Sequence, residues 1–335
     1  MTERIDPALV PAHVLANGDR IPCIGMGTFG SDHVPPGQVA EAVAGAIRCG
    51  YRLFDCASVY GNEDSIGAVF QEAFREGAVK REDLFISSKV WNDMHGQGDV
   101  LLSCARTLRD LRIDYLDSYY IHWPFPNYHA PGCDGDSRNP DSKPFTVEEF
   151  MATWRQMERL KHMGLVRHLG MSNMTIPKLE AVLPLCRIRP SLVQLELHPA
   201  FQQQELFEYL VSQRLLPVGF CPIGSPSRPE RDRTPEDITV TEIPEVVEIA
   251  EAHGVHPAHI CLKWAVQRGQ VPIPFSMRNY VSNLRCVTED PLTEAEMAHM
   301  KKAERNCRFI KGQVFLWPGA NDWRDLWDED GTIKK

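Results

Sequence analysis

The sequence predicts a closed (β/α)8 barrel. Three observations carry that prediction: eight short apolar runs recur along the chain, segments with helical apolar spacing separate them, and 335 residues is the length eight such units need. Strict alternation of strand and helix means parallel strands joined by right-handed crossovers. The rival arrangement is an open doubly wound sheet, which usually announces a nucleotide site by G-x-G-x-x-G after its first strand. Here that position reads GMGTFG, Gly25 to Gly30, with the third glycine out of register and no helix opening directly after it. The barrel is therefore favoured.

In chain order the strand candidates are IGMG (24–27), RLFD (52–55), LFISSKV (84–90), YLDSYYIHW (115–123), VRHLGMSN (166–173), LVQLELH (192–198), LPVGFCPI (216–223) and VPIPF (271–275). Helical spacing runs through QVAEAVAGAIRCG, DVLLSCARTLRDL, VEEFMATWRQMERLKHMG and IPEVVEIAEAHG, several of which end in Gly just past the last periodic residue. No linker splits the chain, so one domain over 1–335 is expected. It comprises a cap over 1–22, the barrel over about 23–290, and a C-terminal helix and tail over 291–335. Two stretches lack periodicity. HWPFPNYHAPGCDGDSRNPDSKPF (122–145) is too long for an idle loop in a compact domain, so it is either functional or disordered. SPSRPERDRTPED (225–237) reads as a disordered surface loop or a flap.

Composition excludes several classes. The chain is 43% hydrophobic, enough for a large core, and its formal charge of −9 argues against a nucleic-acid surface. The N-terminus, MTERIDPALVPAHVL, lacks an apolar signal region, and no run approaches eighteen apolar residues, so a cytoplasmic protein away from membranes is expected. Ten cysteines are scattered singly without a C-x-x-C pair, which fits reduced thiols. His253, His256 and His259, and the set His129, Cys133, Asp134 and Asp136, lack a convincing ligand geometry, so no metal site is expected.

In a barrel of this class, sites form at the C-terminal ends of the strands. Asp55 closes the second strand, Lys89 and His122 lie near the ends of the third and fourth, and Tyr60 sits on the loop after the second. Taken alone, Asp55 also reads as a turn cap and Tyr60 as a half-buried ring. An unpaired buried ammonium would shed its proton, however, and Asp55 is the partner that keeps Lys89 charged. A cation beside a phenol favours the phenolate, so the expectation is a Tyr60 pKa lowered from about 10 toward the working pH. His122 then orients a polar oxygen over that hydroxyl. Such an acid, without metal or activated nucleophile, suits polarising a carbonyl while a cofactor delivers hydride. Glycoside hydrolysis would need two facing carboxylates, and only Asp55 stands out at a strand end.

These residues carry a resemblance. GYRLFDCASVYGNEDSIG (50–67), the lysine of SSKVW (87–91), the histidine of IHWP (121–124) and MERLKHMGLVRHLGMSN (157–173) follow, in order and spacing, the signatures of the aldo-keto reductase family. The similarity runs from about residue 13 to about 310. It implies a (β/α)8 barrel that binds a nicotinamide nucleotide without a Rossmann domain and reduces aldehydes, ketones or sugar carbonyls reversibly. It places a catalytic tetrad on Asp55, Tyr60, Lys89 and His122: Tyr60 as general acid, Lys89 tuning it, Asp55 as counter-ion and His122 orienting substrate. The alternative is a non-catalytic dinucleotide-binding sensor or regulatory protein of the same fold.

The resemblance also implies cofactor contacts. Ser172, Asn173 and Gln194 match the residues that hold the carboxamide, Thr28 one near the nicotinamide ribose, and Phe220 a stacking tyrosine. Cys221, Ile223 and Ser225 in GFCPIGS, with Ser276, Met277, Arg278 and Asn283 in IPFSMRNYVSN, complete the set. Phe275 stands where many relatives place a lysine against the 2′-phosphate, and Arg278 resembles the arginine other branches use. NADP(H) is the expected cofactor, with NAD(H) or dual use open. Phe29 replaces a common pocket tryptophan and Met174 a common aromatic. Phe29, Trp91, Trp123, Phe125 and Trp317 are the expected substrate contacts, with packing beneath the long loop the alternative for Trp123 and Phe125. The tail FIKGQVFLWPGANDWRDLWDEDG resembles the loop that closes over the family's pocket, or is an amphipathic cap. In the same family the 225–237 stretch can fold over the cofactor. The expected partner is a small carbonyl or alcohol substrate, and the expected assembly a monomer or weak homo-oligomer.

Overall fold

The computed structural model describes residues 4–130, 133–134 and 137–329; Asp136 and the last six residues of the tail lie outside them. Eight parallel strands run in sequential order: β3 (Met26–Gly27), β4 (Leu53–Asp55), β5 (Phe85–Val90), β6 (Leu116–Ile121), β7 (Val166–Ser172), β8 (Leu192–Glu196), β9 (Leu216–Phe220) and β10 (Val271–Pro272). Backbone hydrogen bonds from Gly25 N–H to Pro272 O (3.0 Å) and from Gly27 N–H to Pro274 O (3.1 Å) join the two ends of the sheet. The sheet is thus curled and closed, with helices between its strands.

Each of the eight apolar runs holds one of these strands, because strands buried on both faces are apolar throughout. The intervening helices include α1 (Pro36–Cys49), α2 (Glu63–Arg75), α3 (Asp99–Leu111), α4 (Val147–His162), α5 (Ile176–Val182), α6 (Gln204–Ser212), α7 (Pro244–His253), α8 (Pro257–Arg268) and α9 (Tyr280–Cys286). A further helix, α10 (Glu294–Met300), precedes the tail. α1 starts on Pro36 and stops at Gly50, whose φ of 127° returns its N–H to Ala46 O and Ile47 O. A Cβ on Gly50 would meet Ile5 O at 2.4 Å, so that position also lets the N-terminal segment pass.

The cap contains an element that the sequence pattern leaves undefined. β1 (Ala12–Val14) and β2 (Arg20–Pro22) form an antiparallel hairpin. It closes the N-terminal end of the barrel, where Leu15 and Ile21 share a core with Leu53, Phe85, Tyr120, Leu192, Val218, Val271 and Ile273. Side chains two apart on a strand share a face, so the next layer up the same interior is fixed. Leu53 leads to Asp55, Phe85 to Ser87 and Lys89, and Leu192 to Gln194 and Glu196. The interior is apolar at its floor and polar at its mouth.

Candidate active site

The interior alternation brings Asp55 and Lys89 together. Lys89 Nζ lies 2.5 Å from Asp55 Oδ2, donates to Cys56 O at 2.8 Å, and sits 3.5 Å from Tyr60 Oη; its side chain is fully buried. Burial opposes the Lys89 charge, yet attraction to Asp55, seconded by Tyr60, outweighs it and raises the ammonium pKa. Asp55 Oδ1 accepts from Ser87 Oγ at 2.8 Å and from Gln194 Nε2 at 2.9 Å. Both carboxylate oxygens are therefore held.

Tyr60 corrects one expectation. Its pKa is pushed up to about 12 by burial, and Lys89 only partly offsets that. The phenol is protonated at neutral pH, because the loss of solvent around the ring outweighs a cation 3.5 Å from the oxygen. His122 meets Tyr60 edge-on, with ring centroids 6.0 Å apart. Burial, reinforced by repulsion from Lys89, His95 and His129, holds the His122 imidazole well below its ordinary pKa, so it is neutral.

Three buried polar atoms around this point lack a hydrogen-bond partner among the described residues: His122 Nδ1, Ser172 Oγ and Asn173 Oδ1. Buried polar groups are normally paired, so the set marks a place for a ligand's own donors and acceptors. Asn173 is fixed by donating from Nδ2 to His122 O at 2.9 Å, and it adopts a left-handed φ of 56°. Gln194 is already engaged by Asp55 through its amide nitrogen. The Thr28 hydroxyl is likewise committed, donating to Asp55 O at 2.9 Å, while Asn62 Nδ2 donates to Thr28 O at 2.8 Å.

The remaining cofactor candidates lie at the ends of β9 and β10. Phe220, Cys221 and Ile223 are half-buried, and Cys221 and Ser225 hold φ values of 51° and 44°, which is uncommon for residues other than glycine. Ser276 Oγ accepts from Asn279 N–H at 2.8 Å, Met277 and Arg278 are exposed, and Asn283 is buried in α9. Phe275 packs half-buried against the main core. The 225–237 stretch reaches across the mouth: Arg231 Nη1 lies 2.5 Å from Asp32 Oδ2 on the loop after β3, and Lys311 Nζ of the tail donates to Thr234 Oγ1 at 2.6 Å.

Aromatic rings line the other side. Phe29 lies 5.0 Å from Tyr60, and Trp91 is 5.0 Å from His122 and 5.9 Å from Phe315, centroid to centroid. Trp123 and Phe125 both belong to a buried aromatic cluster. They are 5% and 2% exposed and pack with Val314, Phe315, Leu326 and Trp327 beneath the tail, because the tail covers the loop they begin. Trp317 sits half-buried at the edge of this cluster, and Met174 is buried in the main core.

Sequence reasoning misses Ser87, Asn127 and Phe315. Ser87 is legible as the residue two before Lys89, hence on its face. Asn127 staples the long loop: Nδ2 donates to Lys143 O (2.7 Å) and to Phe315 O (2.8 Å), and Oδ1 accepts from Lys143 N–H (2.7 Å). Gly312 then lets the tail descend, with φ 77° and a Cβ position 3.0 Å from the Trp123 ring. Nothing local in the sequence marks these contacts. His253 pairs with Glu296 at 2.7 Å, and His256 Nδ1 accepts from Ala258 N–H at 3.1 Å to cap α8.

A family model described as Aldo/keto reductase family matches residues 23–305. An aldo/keto reductase of Synechocystis sp. is 39% identical over 318 residues, covering 94% of this chain and 95% of that protein. Aldo-keto reductase family 1 member A1 of Gallus gallus is 39% identical over 302 residues, with 88% and 89% covered, and that of Bos taurus 38% over 304 residues, with 89% and 90% covered. The match takes in the whole barrel, and identity at this level extends to nearly the full length of each relative; the chain belongs to the aldo/keto reductase family.

Proposed function

We propose that the protein is a single-domain, cytoplasmic carbonyl reductase that uses Tyr60 as its proton donor and NADP(H) as its preferred cofactor. Family membership carries NAD(P)H-dependent oxidoreduction of small carbonyl compounds. The observation that carries the finer reading is the Lys89 ammonium between Asp55 and the protonated Tyr60 hydroxyl. No helix among the described residues is long and apolar enough to cross a membrane.

A nicotinamide dinucleotide, when bound, supplies the hydride. Ser172 Oγ and Asn173 Oδ1 are the unpaired buried atoms suited to it, one able to donate to a carboxamide oxygen and the other to accept from its amide N–H. The substrate's carbonyl oxygen sits against the Tyr60 hydroxyl, with the neutral His122 imidazole beside it. As negative charge develops on that oxygen, Tyr60 passes its proton across and Lys89 stabilises the phenolate left behind. Asp55 keeps Lys89 charged, and Ser87 and Gln194 keep Asp55 aimed. The reverse reaction starts from that phenolate. Arg278, exposed and without an ion pair among the described residues, is the proposed 2′-phosphate contact, and the 225–237 loop, tied to Asp32, is the proposed cofactor flap.

The test is Tyr60→Phe. Turnover of a generic aldehyde with NADPH should fall by about 10²–10⁴-fold, while dinucleotide binding by fluorescence titration stays near wild type. Near-normal turnover at saturating cofactor would sink the assignment. Tight dinucleotide binding by a wild type that turns over no aldehyde would instead favour a sensor.

A further inference from the structure

Proton transfer from Tyr60 leaves one buried carboxylate at the mouth unused. Glu196 ends β8 on the same face as Gln194 and is 1% exposed. Its Oε1 accepts from the Phe309 N–H at 2.7 Å and from His198 Nε2 at 2.9 Å, and its Oε2 accepts from the Ile310 N–H at 2.8 Å. One carboxylate thus grips two successive amides where the tail leaves the barrel. Burial alone would push the Glu196 carboxyl up, but the His198 hydrogen bond, with Arg308 and the Phe309 amide, outweighs it and holds the group ionised. The neighbours are packed: His198 stacks on Phe309 with centroids 4.7 Å apart, and the Arg308 guanidinium lies 3.5 Å from the Trp327 ring centroid.

Beyond this root the tail reaches the rings beside His122: Trp91 lies 5.0 Å from His122, centroid to centroid, and Phe315 packs against Trp91. Five residues after Ile310, Phe315 sits 4.6 Å from Trp123 and 5.9 Å from Trp91, and Trp327 sits 5.6 Å from Trp123, ring centroid to ring centroid. Just before Phe309, the Arg305 and Cys307 N–H groups both donate to Ala200 O at 3.1 Å, and the Glu196 carboxylate then takes those of Phe309 and Ile310, fixing where the tail departs.

We propose that Glu196 is a positioning residue for substrate choice: by fixing the Phe309 and Ile310 amides it sets Phe315 and Trp327 against Trp123, and so shapes the aromatic side of the pocket without touching the reacting atoms. The kinetic part of this inference rests on the carbonyl-reduction reading; the attachment of the tail does not. Glu196→Gln is nearly isosteric but turns one acceptor oxygen into an NH2 group. Turned one way, that group faces the Ile310 N–H; turned the other, it faces the Phe309 N–H and His198. Either leaves a buried donor without its acceptor.

The experiment measures KM and kcat for propanal and for 4-nitrobenzaldehyde, together with chymotrypsin cleavage within 309–329 followed by mass. In Glu196→Gln, KM for the aryl aldehyde should rise about tenfold, while KM for propanal and both kcat values move by less than about threefold, and tail cleavage should speed up about tenfold. Parallel changes for the two substrates, or unchanged cleavage, would overturn the proposal. Should Glu196→Gln not fold, Glu196→Asp, charged but one methylene short of the amides, is read by the same two measurements. A wild type without turnover on either aldehyde would overturn the carbonyl-reduction reading and the selection role with it, and the cleavage arm would still decide whether Glu196 roots the tail.

Discussion

Two buried lysine–aspartate pairs, nearly identical in geometry, join different parts of the molecule. Lys89–Asp55 and Lys178–Asp328 are each 2.5 Å apart, with side chains 0% and 4% exposed in the first and 1% and 5% in the second. The first joins β5 to β4, whose register is fixed by pairing from Leu53↔Phe85 to Asp55↔Ser87. The second joins α5 to the tail, where Lys178 also donates to Leu326 O at 2.8 Å and Asp328 accepts from Thr175 Oγ1. Distance and burial are alike; freedom to retreat is not. An uncompensated Asp55 stays inside the barrel between two strands that cannot part, whereas Asp328 reaches water if the tail peels away. The cost of breaking an ion pair depends on where the stranded charge can go.

The largest effect should therefore come from Lys89→Met. It should cost about 3–5 kcal/mol of stability in chemical denaturation and abolish turnover, because it removes the cation that offsets the buried Asp55 carboxylate and faces Tyr60. Asp55 and Lys89 should also couple in a double-mutant cycle, and additive single effects would show that they are not a pair.

Lys178→Met makes the same change in the other pair and should cost less, roughly 2–3 kcal/mol, with the loss confined to the tail. Protection of tail amides from hydrogen exchange should drop while β4 and β5 keep theirs. A stability loss equal to that of Lys89→Met would break the comparison, since it would mean that the tail cannot detach locally.

Arg278→Ala sharpens the comparison from outside both pairs, because Arg278 is exposed and removing it strands nothing. Stability should stay within about 0.5 kcal/mol of wild type. NADPH binding should weaken by about 1.5 kcal/mol, the lower range for a charge-assisted hydrogen bond, and NADH binding should hardly move. Unchanged NADPH affinity in a fluorescence titration would remove the clamp. Comparable use of both dinucleotides by the wild type would point to Phe275 as the mark of a relaxed site.

Much of the fold and of the candidate site is legible in the sequence. The eight runs lie at the eight strands because a strand covered by helices on one side and a packed interior on the other has to be apolar on both. A charged residue closing such a run then stands out, as Asp55 and Lys89 do, and the period of two adds Ser87 and aims all three inward. The hairpin of β1 and β2 escapes notice because three-residue strands leave too short a pattern to read.

The chain's own sequence determined the barrel, the polar mouth above an apolar floor, and the meeting of Asp55, Tyr60, Lys89 and His122 at one end. These follow from spacings of two residues within a strand, from strand order and, for Tyr60, from its place on the short loop after β4. Tertiary structure alone decided that Phe125 is packed away, that Gln194 is bound to Asp55, that Tyr60 keeps its proton, and that the tail hangs from Glu196, Asn127 and Lys178. Those contacts join residues separated by 113 (Glu196 to Phe309), 150 (Lys178 to Asp328) and 188 (Asn127 to Phe315) positions. No local period links positions so far apart. Only the closing of the barrel brings them within hydrogen-bonding distance, and only the burial that results decides how strongly each charge is felt.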